Sequence, residues 1–135
     1  MPATSIRVTQ PRLLKETAQT LRKLGLPLSS SSSPSALTIT PYPSSRSSHF
    51  PGKAGPSHPS VPPLLVPTST SPARNLSLLR KLATSAPGPF FATGKAGQIN
   101  AAIFAAACLA PTHPKIRRAL HRFRSHQTKS VPQKP

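Results

Sequence analysis

The sequence predicts a fold of the mixed α/β class, built at its two ends and interrupted in the middle. Three observations carry that reading. An amphipathic stretch with a full stop signal occupies residues 12–27, a Pro/Ser-rich stretch covers residues 28–73, and two helical patterns follow one another at 98–110 and 114–128 behind a short strand-like run. They divide the chain into an N-terminal segment (1–27), a low-complexity segment (28–73) and a C-terminal region (74–135).

In the first segment Leu13, Leu14, Thr17, Ala18, Leu21 and Leu24 recur at three- and four-residue spacing, the mark of a helix with one apolar face. Arg22 and Lys23 face the negative end of its dipole, Gly25 can take the left-handed conformation past its end, and Pro27 forbids continuation. From Pro27 to Pro72 the chain holds 11 Pro and 14 Ser among 46 residues, with only apolar scraps such as Ala36–Ile39 and Leu64–Val66. Prolines interrupt hydrogen-bond ladders, and the run Ser29–Ser33 has no apolar area to bury against the entropy of ordering it, so the middle reads as largely disordered. Arg74–Leu82 carries Leu76, Leu79 and Leu82 and reads as a short helix; Phe90–Thr93 reads as a short strand. Gly94-Lys95-Ala96-Gly97 reads as a turn before Gln98–Ala110, a helix apolar on nearly every side and therefore buried, yet too short to cross a bilayer. Pro114 then opens a basic amphipathic helix with Ile116, Ala119, Leu120 and Phe123 on one face.

Composition narrows the chemistry. The 135 residues hold 18 Lys and Arg against one acid, Glu16, for a formal charge of +17. No pair of carboxylates exists for two-carboxylate hydrolysis. One cysteine, Cys108, excludes an internal disulfide and a cysteine-based zinc cluster. So large a charge favours nucleic acid or other acidic partners, the alternative function read from composition, although the excess comes from missing acids rather than from extra bases. The acid-poor N-terminus is compatible with organellar targeting; no secretory hydrophobic region stands out, and the expected location is the cytoplasm.

The residues from Phe91 onward, FATGKAGQINAAIFAAACLAPTHPKIRRALHRFRSHQTKSVPQKP, resemble the end of the carboxyaminoimidazole ribonucleotide mutase / phosphoribosylaminoimidazole carboxylase family of purine biosynthesis. The ordered features are Gly94–Gly97, Asn100–Ala102, Thr112-His113, and Arg124, Gln127, Thr128, Val131 and Pro135. Leu65-Val66-Pro67, Leu76–Leu79 and the first helix, Lys15–Pro27, are similar to the family more thinly. The resemblance implies a partial flavodoxin-like three-layer sandwich, an aminoimidazole ribonucleotide-type substrate, no metal and no cofactor, and a homo-oligomer through Gln98 to Ala110.

It also implies site residues, and losses among them. The family motif Gly-Ser-x-Ser-Asp corresponds to Ile6-Arg7-Val8-Thr9-Gln10, which makes Thr9 and Gln10 substrate-binding, with Gln10 where the family has its carboxylate. Ser-Ala-His-Arg-Thr-Pro corresponds to Ser35-Ala36-Leu37-Thr38-Ile39-Thr40-Pro41, which keeps Ser35 as a substrate-binding residue. Neither Leu37 nor Ile39 can shuttle a proton as the family histidine does, so impaired activity is expected. His58, within Ala54–Pro59, echoes the family's Gly-rich loop and is the candidate catalytic residue, beside the plainer reading of a solvated loop histidine.

A coding frame shifted between about Leu28 and Pro63 would account for family-like ends around an unrecognisable middle, because valine codons read one nucleotide late become serine codons. Translating the coding DNA of that interval in its other frames is then expected to reveal Val-Val-Ser-Ala-His-Arg; its absence from both frames refutes the shift.

Overall fold

The computed structural model describes residues 5–29, 37–43, 63–86 and 88–133. Three strands, β1 (Ile6–Val8), β2 (Leu37–Tyr42) and β3 (Leu64–Pro67), form a parallel sheet in that order. Four helices accompany them: α1 (Lys15–Lys23), α2 (Pro72–Ser85), α3 (Gly94–Leu109) and α4 (Pro114–Ser130).

Two single-residue pairings extend the sheet. Leu28 lies parallel to Ile6 outside β1, through Ile6 N–H to the Pro27 carbonyl (3.2 Å) and Ser29 N–H to the Ile6 carbonyl (3.0 Å). On the far side Phe90 lies parallel to Leu65, through Leu65 N–H to Pro89 (2.9 Å) and Phe91 N–H to Leu65 (3.0 Å). Taken in chain order, the five paired segments stand 2-1-3-4-5 across the sheet, which is the strand order of a flavodoxin-like fold.

Side-chain alternation sorts the core into two layers. Ile6, Ile39, Leu64 and Val66 face the cluster that holds Leu14 and Leu21 of α1 and Ala101, Ala102, Ala105 and Ala106 of α3. Tyr42 and Leu65 point the other way, onto Leu82 and Leu78 of α2. With helices on both faces, strands become apolar runs rather than alternating ones, which is why LLVP over Leu64–Pro67 is buried at every residue.

Several expectations for the middle are corrected here. Leu37–Tyr42 and Leu64–Pro67 are the two inner strands, so the 28–73 segment is not uniformly without structure; the remainder of it, 30–36 and 44–62, lies outside the described residues. Pro41 is tolerated inside β2 because of its register. Thr9 N–H donates to the Ile39 carbonyl (3.0 Å), so the next rung toward β1 would need an N–H at residue 41. Proline has none, and the ladder between β1 and β2 stops there.

The Gly94–Gly97 stretch is likewise not a free turn but the first turn of α3. Gly94 sits at φ 74°, in the left-handed region, and reverses the chain after Phe90. Gly97 is buried against the chain that enters the helix: a Cβ there would collide with the carbonyl of Ala92. The helix after Arg74 is longer than its leucine spacing indicates, starting at Pro72, whose missing N–H costs nothing in a first turn. The strand expected at Phe90–Thr93 reduces to the Phe90 pairing.

The apolar helix is buried as expected, and its burial lies within the chain. Gly97, Ala101, Ala102, Ala105, Ala106 and Leu109 are covered, while Phe104 and Cys108 remain exposed. Among the described residues no helix is long and apolar enough to cross a membrane. Gly97→Ala is expected to destabilise the fold by about 3 kcal/mol, since backbone rather than a flexible side chain must move; urea unfolding measures it.

Candidate functional site at the carboxyl edge of the sheet

In an open parallel sheet of this order the strands diverge where neighbouring connections leave in opposite directions, and ligands bind outside the carboxyl ends at that point. Here the switch lies between β1 and β2. Thr9 and Gln10 leave the end of β1, and Tyr42 and Pro43, joined by a cis peptide, leave the end of β2. Pro41 has no N–H for the rung that would tie β2 to the Thr9 carbonyl, so the β1–β2 ladder ends at this point.

Thr9 is fixed by its backbone bond to Ile39 and by its hydroxyl, which donates to the same carbonyl at 3.4 Å. Gln10 has φ 50°, an uncommon conformation for a residue with a Cβ, and its carbonyl accepts the Leu13 N–H at 2.9 Å as the chain turns into α1. The two sequence-implied binding residues that can be placed therefore lie side by side at the switch point. Ser35 and His58 lie outside the described residues. Leu37 and Ile39 belong to β2, paired with Ile6 and Val8, and Ile39 is fully buried.

β1, β3 and the Phe90 pairing are followed by α1, α2 and α3, whose N-termini lie at this edge, so helix-start amides and the positive ends of the helix dipoles gather there. The start of α1 is held by α3: Glu16 N–H donates to Gln98 Oε1 (3.1 Å), and the Thr17 hydroxyl donates to the Gln98 carbonyl (2.8 Å). Glu16 also lies 3.8 Å from Lys95 Nζ, a solvent-facing pair worth at most about 1 kcal/mol. At the start of α2, Asn75 Oδ1 is buried with no hydrogen-bond partner. An orphan acceptor of this kind is costly unless something occupies it.

Other chemistry-bearing groups have structural places. His113 Nδ1 lies 3.0 Å from the Leu109 carbonyl, and as the N–H tautomer it donates to the end of α3. His121 and His126 are on exposed parts of α4. Among the described residues no three His, Cys, Asp or Glu gather as a metal site. Tyr42, unmarked in the sequence, is buried beside the opening, with Lys81 Nζ 5.9 Å from its ring centre. Sequence reasoning also missed Asn75 as an unpartnered group and Gln98 as the tie between helices. An amide in the first turns of a helix, Asn75 three residues past Pro72 or Gln98 four past Gly94, carries no sequence signal of either role.

Gln10→Gly is expected to raise stability by about 0.5–1 kcal/mol, and Gln10→Val to lower it by at least about 1 kcal/mol, because only glycine enters the left-handed region without strain. Chemical denaturation of the two variants measures both signs.

No family model matches the chain. It is 36% identical over 91 residues to the N5-carboxyaminoimidazole ribonucleotide mutase of Pseudomonas aeruginosa, an alignment that takes in 64% of this chain and 55% of that protein. The chain thus spans about half the length of the curated relative it matches, and what it shares with that enzyme is a partial likeness in sequence.

Proposed function

We propose that the chain is a divergent member of the carboxyaminoimidazole ribonucleotide mutase family, binding an aminoimidazole ribonucleotide-type ligand at the switch point and turning it over weakly or not at all. The 36% identity to the mutase carries this reading. The 2-1-3-4-5 strand order and the position of Thr9 and Gln10 at the opening support it.

The division of labour follows from the residues. Backbone amides at the helix starts suit a phosphate, and Gln10 can hydrogen-bond a ribose hydroxyl in place of a carboxylate, with a neutral rather than charged acceptor. The reaction also needs a proton moved at the imidazole carbon. Leu37 and Ile39 offer no group for that, which leaves His58 as the remaining candidate. Binding should therefore outlast catalysis.

The cytoplasm is the location that goes with this reading. Assembly through Gln98–Ala110 also belongs to it, with the contact surface reduced to the exposed edge of α3 around Phe104.

Purified protein is expected to gain about 2.7 kcal/mol of stability from the nucleotide substrate at a hundredfold excess over its Kd. Mutase turnover should be slow and abolished in His58→Ala, and Phe104→Arg should lower the sedimenting mass. Absence of ligand stabilisation, together with RNA binding that falls steeply with salt, overturns the proposal in favour of a basic nucleic-acid binder.

A further inference from the structure

A second opening lies at the other end of α1, away from the carboxyl edge. The cleft has a volume of about 360 Å³, between the end of α1 and the first turns of α4. Lys23 stands on one side and Lys115, Arg118 and Arg122 on the other, all four exposed residues. Leu24 and Ile116 line it as well and are buried, so the apolar part of the lining offers the four cations no side-chain acceptor.

Among the described residues these charges have no counter-ion. The chain's one acid, Glu16, is in the first turn of α1, seven residues from Lys23, roughly 10 Å along the helix, and lies beside Lys95. The carbonyls that end α1 are largely engaged: Leu24 N–H donates to Thr20, Gly25 N–H to Arg22 and Leu26 N–H to Leu21. On the other side α4 begins, and the positive end of its dipole adds to Lys115. Arg118 and Arg122, four residues apart, are neighbours on one helix face and can present two guanidinium forks to successive phosphoryl groups.

We propose that this cleft binds a condensed phosphate chain, as found in a nucleoside triphosphate or in inorganic polyphosphate. Four cations from two helices match a ligand with several charges in a short length better than they match one orthophosphate. The lining contains no aromatic residue, so a base finds no stacking platform and recognition falls on the phosphates. The cleft is a shallow, open one between two helices, and its cations are spaced for a short, highly charged chain. This site is separate from the switch-point opening and does not depend on the reading given to it.

The test measures binding of tripolyphosphate and of ATP to the full chain at physiological ionic strength by titration calorimetry, with orthophosphate, oligouridylate and phosphatidylserine vesicles as comparison probes. Arg118→Gln/Arg122→Gln removes two cleft charges, and Arg74→Gln/Arg80→Gln removes two from the exposed face of α2. The cleft variant is expected to weaken tripolyphosphate binding by about tenfold, the α2 variant by less than about twofold, and Arg118→Lys/Arg122→Lys to recover part of the loss.

Equal affinity for ATP and tripolyphosphate identifies the inorganic chain as sufficient, and tighter ATP identifies a nucleotide; both uphold the site. Equal losses in the two glutamine variants overturn it, since the attraction is then diffuse. So does orthophosphate binding as tightly as tripolyphosphate, or a cleft-dependent preference for oligouridylate or for the vesicles. Thermal melts of all the variants separate loss of the site from loss of the fold, because these side chains are exposed and their replacement should leave the melting temperature unchanged.

Discussion

The close packing of α1 against α3 is the constraint on which the rest of the structure depends. Gln98 fastens it twice, its side chain receiving an amide from the start of α1 and its carbonyl receiving the Thr17 hydroxyl. No side chain of α1's own caps that helix, so an interaction reaching more than eighty residues along the chain supplies what a local residue usually does. Ala101, Ala102, Ala105 and Ala106 carry the contact onward at full burial. Small side chains bring backbones near and leave little volume to fill, which suits a sheet that among the described residues has three strands of more than one paired residue.

From that seam the layers follow. With α1 and α3 fixed on one face, Ile6, Ile39, Leu64 and Val66 are buried beneath them, and α2 closes the opposite face over Tyr42 and Leu65. α4 adds to the same cluster through Ile116 and Leu120, which leaves its arginines and lysines in water. The result concentrates apolar contact on one side of the sheet and charge on the outermost helix. The low acid content, neutral for the core, is thus expressed almost wholly at the surface.

Much of this was legible in the residues. Helix periodicity, the Gly25 stop and the Pro114 start located three helices to within a few residues, since each rests on local chemistry. The inner strands were not, because four to six apolar residues between prolines look the same whether they lie in a linker or between two helical layers. Only tertiary cover decides, and it comes from residues far along the chain. The start of α3 misled for a related reason: glycine signals a turn, yet Gly97 is present because Ala92 passes too near for a Cβ. Within the candidate site, Thr9 and Gln10 were placed by motif correspondence, while the switch point itself follows from the strand order, and the end of the ladder at Pro41 needs the register to be seen.

The two outer pairings have a consequence for how copies of this chain can meet. A sheet edge with free amides is a template for another strand, and such addition is a common route to aggregation. On one side the outer position is Leu28 preceded by Pro27, and on the other Phe90 preceded by Pro89, each with a single residue in register. The Pro27 and Pro89 carbonyls accept from Ile6 and Leu65, so both prolines turn their backbone inward, and the outward-facing N–H and C=O at these positions belong to Leu28 and Phe90. Among the described residues each margin thus offers an incoming strand the donor and acceptor of one paired residue, a weak hold, whereas helix surfaces meet through side chains and can be specific.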